Sequence, residues 1–80
     1  MDSREFAELH AQCCEALKQY VLEADRMCEL LGQCLPEPSS IQFRTDLLEQ
    51  RARENKAYAR YVETRRQLFD AARIGYKPQN

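Results

Sequence analysis

The chain has 80 residues, with 12 basic and 13 acidic side chains and a formal net charge of −1. A chain this short forms one small domain, and its core is marginal unless a partner, a metal or disulfides support it. Hydrophobic residues make up 44% of the sequence, which excludes uniform disorder. No apolar run approaches membrane-spanning length, and the opening residues MDSRE lack the features of a signal peptide, so a cytoplasmic location is expected.

The first predicted helix covers residues 3–32, where apolar side chains recur at steps of three or four. Asp2 and Glu5 have the spacing of a capping box at its start. Gly32 is typical of the left-handed residue that follows a helix end. The predicted line consists of Phe6, Leu9, Cys13, Leu17, Tyr20, Ala24, Met27, Leu31 and Cys34, with Cys14, Val21 and Cys28 beside it.

Residues 33–39 form the predicted loop, because its two prolines remove backbone donors and disfavour helix in the residues before them. The second helix is predicted over residues 40–74, with Ser39 and Gln42 as a capping box, and residues 75–80 are expected to fray. Its predicted seam repeats every seven residues through Ile41, Leu48, Asn55, Val62 and Phe69, with Leu47, Tyr61 and Leu68 widening the stripe.

Two long helices joined by a short loop pack antiparallel, so the sequence predicts an all-α, two-helix hairpin as a single domain over residues 1–80. Residues 1–40 carry three basic and eight acidic side chains, and residues 41–80 carry nine and five; opposite signs favour contact between the halves. The apolar stripes are wider than one seam and would leave a sticky surface in water. We therefore expect the hairpin to dimerise into a four-helix bundle or to dock against a helix of another protein.

The leading functional hypothesis is a protein-interaction module, such as a small adaptor, regulator or chaperone-like subunit. Asn55 interrupts an otherwise apolar line: if buried, it would fix register and partner number, and if the helix is rotated it would face solvent. The side chains expected to carry association are Phe6, Leu17, Tyr20, Met27, Leu31, Leu48, Asn55, Tyr58, Val62 and Phe69.

The basic residues of the second helix suggest an alternative, nucleic-acid or phosphate binding. They are Arg44, Arg51, Arg53, Lys56, Arg60, Arg65, Arg66 and Arg73. Acidic residues are interleaved among them and no recognised binding motif is present. A solvated helix face supported by pairs of opposite charge is the simpler interpretation.

The four cysteines and the single histidine suggest a second alternative, a metal or thiol-redox site. His10 precedes Cys13 and Cys14 by three and four residues, so it can share a helix face with them. The paired spacings of a zinc site are absent, and buried core thiols are the simpler interpretation. No Gly-rich phosphate loop, nucleophile elbow or H-E-x-x-H motif occurs, so neither an enzyme nor a cofactor is expected.

Overall fold

A computed structural model describes residues 3–33 and 40–75 of the chain. Within those residues the chain forms two α-helices and no strand: α1 spans Ser3–Leu31 and α2 spans Ile41–Gly75. The two helices pack against each other as a hairpin, in a molecule measuring 64 × 23 × 16 Å. The predicted all-α hairpin is therefore confirmed. Neither α1 nor α2 combines the length and the apolar composition that crossing a bilayer requires.

The start of α2 is capped by a serine. The side-chain oxygen of Ser40 accepts a hydrogen bond from the backbone N–H of Phe43 at 3.2 Å, which satisfies one of the free amides of the first turn. The observed cap is thus Ser40, one residue after the predicted Ser39. Ser39 itself, with most of the predicted loop, lies outside the described residues.

The end of α1 does not use a left-handed residue. The backbone N–H of Gly32 continues the helical pattern by bonding the carbonyl oxygen of Cys28 at 2.9 Å. No glycine in the described part of the chain has a positive φ, so the conformation predicted for Gly32 is wrong. Asp2, Cys34 and residues 76–80, to which the sequence assigned a cap, a seam position and a frayed end, lie outside the described residues.

The two helices meet along a seam in which contacts alternate at steps of four and three residues. This seven-residue repeat is the spacing of a left-handed pair of supercoiled helices. The buried and half-buried residues that form it are Leu9, Cys13, Ala16, Tyr20, Glu23, Met27 and Leu30 in α1, and Phe43, Leu47, Gln50, Glu54, Ala57, Tyr61, Thr64, Leu68 and Ala71 in α2. We call this set the seam.

The seam predicted for α2 is wrong, because α2 is rotated so that the predicted line faces out. Leu48 is 67% exposed and Phe69 is 57% exposed, and Ile41, Asn55 and Val62 are exposed as well. Leu47, Tyr61 and Leu68, which the sequence placed beside the line, lie in the seam. Within the hairpin Asn55 thus faces solvent, and its burial in an assembly stays a prediction.

In α1 the predicted line is partly wrong. Leu9, Cys13, Tyr20 and Met27 belong to the seam as expected, but the other seam residues of α1 are Ala16, Glu23 and Leu30. The predicted Leu17 and Leu31 are exposed, and Ala24 is half-buried beside the seam. The buried positions of both helices thus hold small or polar side chains, while the large apolar residues are half-buried in the seam or exposed outside it.

Candidate interaction surface

The buried positions of the seam hold small and polar side chains, and its large apolar residues are only half-buried. Ala16 is fully buried, and Cys13, Ala57 and Ala71 are nearly so. Among the described residues no large side chain is fully buried. Small residues let the two backbones approach closely, but they remove little apolar area from water, and area is what hydrophobic stabilisation scales with. The seam therefore gives the hairpin a defined shape and only a modest hydrophobic contribution to its stability.

A buried polar pair crosses the middle of the seam. Glu23 is 4% exposed and Gln50 is 7% exposed. The amide nitrogen of Gln50 donates to the Glu23 carboxylate at 2.8 Å and to the Glu23 backbone oxygen at 2.9 Å. Arg26 donates to the second carboxylate oxygen at 2.9 Å, and Gln19 lies 3.4 Å from it. No buried side-chain N or O in the described part of the chain lacks a partner, so the pair is fully satisfied.

Three tyrosines cross the seam next to this pair. The ring of Tyr20 lies 5.1 Å from that of Tyr58 in a tilted arrangement and 6.2 Å from that of Tyr61 in a stacked one. Such offset and tilted ring pairs are favourable beyond the area that they bury. Together with the bond between Glu23 and Gln50, these contacts show that α1 and α2 run antiparallel.

One flank of the seam is charged. A groove of about 300 Å³ opens there between the helices, lined by Gln19, Glu23, Arg53, Lys56, Ala57 and Arg60. We call this flank the charged face. Helix position places the following side chains on it: Glu5, Glu8, Gln12, Glu15, Gln19, Leu22, Arg26 and Glu29 of α1, and Gln42, Asp46, Glu49, Arg53, Lys56, Arg60, Glu63, Gln67 and Asp70 of α2. Leu22, which is 45% exposed, is the large hydrophobic residue among them.

The opposite flank is apolar. In α2, Tyr58 and Arg60 lie on opposite sides of the seam. The two side chains are about 160° apart around the helix axis, with the seam residues Ala57 and Tyr61 between them. Side chains seven residues apart lie one above another along a helix with this repeat. On this flank, α1 and α2 together carry eight large exposed hydrophobic residues. We call them the apolar face: Leu17, Val21, Leu31, Ile41, Leu48, Tyr58, Val62 and Phe69.

The apolar face also carries positive charge. Arg44, Arg51 and Arg65 continue the line of Tyr58 at seven-residue spacing, and all three are exposed. The guanidinium carbon of Arg65 lies 5.6 Å from the centroid of the Phe69 ring, a cation–π distance. Within residues 3–33 and 40–75, no ion pair involves any of these three arginines.

Among the described residues, the carboxylate that reaches the apolar face is Asp25, which lines a hollow with Leu17 and Val21 at the edge of that face. By helix position the acidic residue closest to Arg51 is Glu54, which is half-buried in the seam and forms no ion pair with it. Asp25 lies at the outer edge of α1, and Glu23 is enclosed in the seam. The other described acidic side chains lie on the charged face.

The three cysteines that the structure describes are divided between the seam and the apolar flank. Cys13 is buried, whereas Cys14 and Cys28 are exposed, and all three are free thiols. The sulfur of Cys14 lies 3.6 Å from Nε2 of His10, one turn earlier. No group of three or more potential metal ligands occurs among the residues that the structure describes.

The structure brings together most of the residues that the sequence assigned to association. Leu17, Leu31, Leu48, Asn55, Tyr58, Val62 and Phe69 share the apolar flank, whereas Phe6 lies toward one end of the rod and Tyr20 and Met27 lie in the seam. The sequence interpretation missed Ala16, Glu23, Gln50 and Ala57. Periodicity alone could not have found them, because the line through Leu17 and Ala24 keeps the same alternation of four and three residues.

The basic residues of α2 do not share one surface. Arg44, Arg51 and Arg65 lie on the apolar flank, whereas Arg53, Lys56 and Arg60 line the charged groove. Arg66 is held by Glu63 at 2.6 Å and by Asp70 at 2.8 Å on the exposed surface. The hydrogen bonds from Arg66 hold the pKa of Glu63 below its ordinary value, and the same contacts raise the pKa of Arg66.

Comparison with known proteins gives no relative: no protein-family model, no curated protein and no solved structure matches this chain.

Proposed function

We propose that this chain is a protein-interaction module, the helical part of a small adaptor, regulator or chaperone-like subunit, and that it docks through the apolar face. One observation carries the proposal: eight large hydrophobic side chains lie on one exposed face, while the buried positions of the seam hold small or polar side chains. A free-standing protein buries its largest apolar residues. A contiguous exposed apolar face is typical of an interaction site.

The surface of the chain supports the same proposal. The accessible surface is 6604 Å², whereas a compact monomer of this mass exposes about 5000 Å². A standard protein interface covers about 800 Å² on each partner. The chain thus exposes more surface than a compact protein of the same mass does. The apolar face extends along one side of the elongated hairpin.

Two kinds of occupant would cover the apolar face. A second copy of the chain would complete a four-helix bundle with two-fold symmetry, in which the two apolar faces meet. A helix of a different protein would lie in the same groove, with apolar residues at steps of three and four. Both occupants make the chain an association module.

The test is solution mass by light scattering across a concentration series, with a partner pull-down if the chain is monomeric. Val62→Glu places a charge in the apolar face without touching the seam, and we expect it to abolish association while helix content is kept. Lys56→Glu makes a change on the charged face and should leave association intact. A chain that binds nothing, or a Val62→Glu variant that associates as the parent does, would overturn the proposal.

A second candidate function is phosphate binding at the charged groove. The observation in its favour is that Arg53, Lys56 and Arg60 form no ion pair with any described residue, although they lie within two turns of one another. Binding of a labelled single-stranded oligonucleotide would fall steeply with salt. Absence of binding at low salt would remove this candidate.

A further inference from the structure

The charged residues of the apolar face indicate which kind of partner would bind there. Three arginines stand in this face at a spacing of seven residues or a multiple of seven, and the one described carboxylate that reaches the face is Asp25 at its α1 edge. At 1.5 Å per residue, Arg44 and Arg65 are about 31 Å apart along the helix axis. An occupant that covers this length buries the arginines or brings partners for them, and a buried charge without a partner is strongly unfavourable.

We propose that the apolar face is the docking site for an acidic amphipathic helix of another protein, which places a carboxylate beside each of Arg44, Arg51 and Arg65. This inference rests on the docking function proposed above. The partner helix needs about 21 residues to span the three arginines. In this partner helix, apolar residues recur at alternating spacings of three and four residues. An Asp or Glu recurs beside them at every seventh position.

A second copy of the chain fits this face less well. It would present its own Arg44, Arg51 and Arg65 from the opposite side, and like charges facing each other across an interface are destabilising. The acidic side chains that could compensate lie mainly on the charged face, directed away from the contact. The acidic half of the sequence therefore does not neutralise the face in a symmetric dimer.

A lipid surface also fits less well. The chain has a net charge of −1, so an anionic bilayer exerts no net long-range attraction on it. Asn55 stands in the middle of the apolar line between Leu48 and Val62. Its amide needs hydrogen-bond partners, which a polar side chain of a partner helix supplies and hydrocarbon does not.

The test uses two synthetic peptides of about 28 residues with the same leucine stripe, one flanked by glutamates and the other by lysines. Binding to the full chain is measured by fluorescence anisotropy, with analytical ultracentrifugation of the chain alone. Each exposed ion pair changes affinity by a factor of about two to five, so we expect the glutamate peptide to bind about ten to a hundred times more tightly. The preference should weaken as salt is raised.

The decisive variant is Arg51→Glu with Arg65→Glu, which should reverse the preference so that the lysine peptide binds more tightly. The matched control is Arg53→Glu with Lys56→Glu, which changes the net charge equally on the charged face and should leave the preference unchanged. Both variants are checked for helix content by circular dichroism, because neither pair of residues belongs to the seam.

The outcomes separate this inference from the docking function. Equal binding of both peptides, insensitive to the arginine reversal, overturns the acidic partner and leaves the docking function standing. A stable dimer that binds neither peptide also overturns the acidic partner and leaves the docking function standing, with a second copy of the chain on the apolar face. Binding to anionic vesicles but to neither peptide, or a monomer that binds none of these probes, overturns the docking function as well.

Discussion

Gln50 donates two hydrogen bonds from its amide nitrogen to one residue of the other helix, Glu23, reaching the carboxylate at 2.8 Å and the backbone oxygen at 2.9 Å. Both N–H groups of the amide are thereby used inside the seam. A shift of one helix by a single turn would separate the two residues and leave both buried without their partners. The pair therefore selects one register of α1 against α2, as buried polar residues do in paired helices.

Gln50→Leu should lower the free energy of unfolding by about 1–3 kcal/mol, because the Glu23 carboxylate then loses a partner while it remains buried. The double variant Glu23→Leu with Gln50→Leu should recover this loss, since an apolar pair has no polar group to satisfy. Denaturant unfolding followed by circular dichroism measures both. An unchanged stability for Gln50→Leu would show that the hydrogen bonds do not hold the seam.

Ala16→Leu should destabilise the hairpin by about 1–3 kcal/mol, since Ala16 is fully buried and a larger side chain forces the helices apart. Ala11→Leu is the matched control, because Ala11 is exposed on the same helix and should change stability by less than about 0.5 kcal/mol. Thermal unfolding of the two variants gives the comparison. If Ala16→Leu and Ala11→Leu changed the stability equally, the close approach of the helices at Ala16 would not contribute to the stability of the hairpin.

The thiols should react in two classes. In a Cys34→Ser background, Cys14 and Cys28 should react rapidly with Ellman's reagent, whereas Cys13 should react only as fast as the hairpin opens. A partner on the apolar face should slow Cys14 and Cys28, which lie on that flank, without accelerating Cys13. Equal reactivity of all three thiols in the free chain would contradict the burial of Cys13.

The pKa of Glu63 should lie below its ordinary value, because Arg66 donates hydrogen bonds to both of its carboxylate oxygens. A lowered pKa in the folded state adds stability that is present above the unfolded value of about 4.3 and is lost as the pH falls through the folded value. Carbon-detected NMR titration measures the pKa directly. Arg66→Met should raise it toward the ordinary value, whereas Arg73→Gln should leave it where it is.

The architecture follows from the sequence because its signals are local: two long runs with helical periodicity, a proline-containing break between them and a serine before the second run. The rotation of the helices does not follow so directly. Two seams are possible in α1, and both include Cys13 and Tyr20. One adds Ala16 and Glu23, whereas the other adds Leu17 and Ala24. Hydrophobicity favours the second. The helices use the first, because Glu23 finds its partner in Gln50, 27 residues away.

The candidate surface was predictable as a set of residues but not as a face. The apolar line through Leu48 and Val62 is visible in the sequence, and its period is correct. Whether it points into the hairpin or out of it depends on which side of α2 packs more closely against α1. The small side chain of Ala57 and the amide of Gln50 decide this, and neither is conspicuous beside a row of large hydrophobic residues.

The absence of a fully buried large side chain among the described residues has a consequence for the amount of this protein in a cell. A hairpin that buries few large side chains derives little folding free energy from its own contacts, and a ligand that binds only the folded state adds stability in proportion to the logarithm of its concentration. Under the proposed docking function, copies made in excess of the partner would spend more time open and would be the first to be degraded. The amount of the chain would then follow the amount of its partner, so that stoichiometry is maintained by turnover without a separate regulatory device.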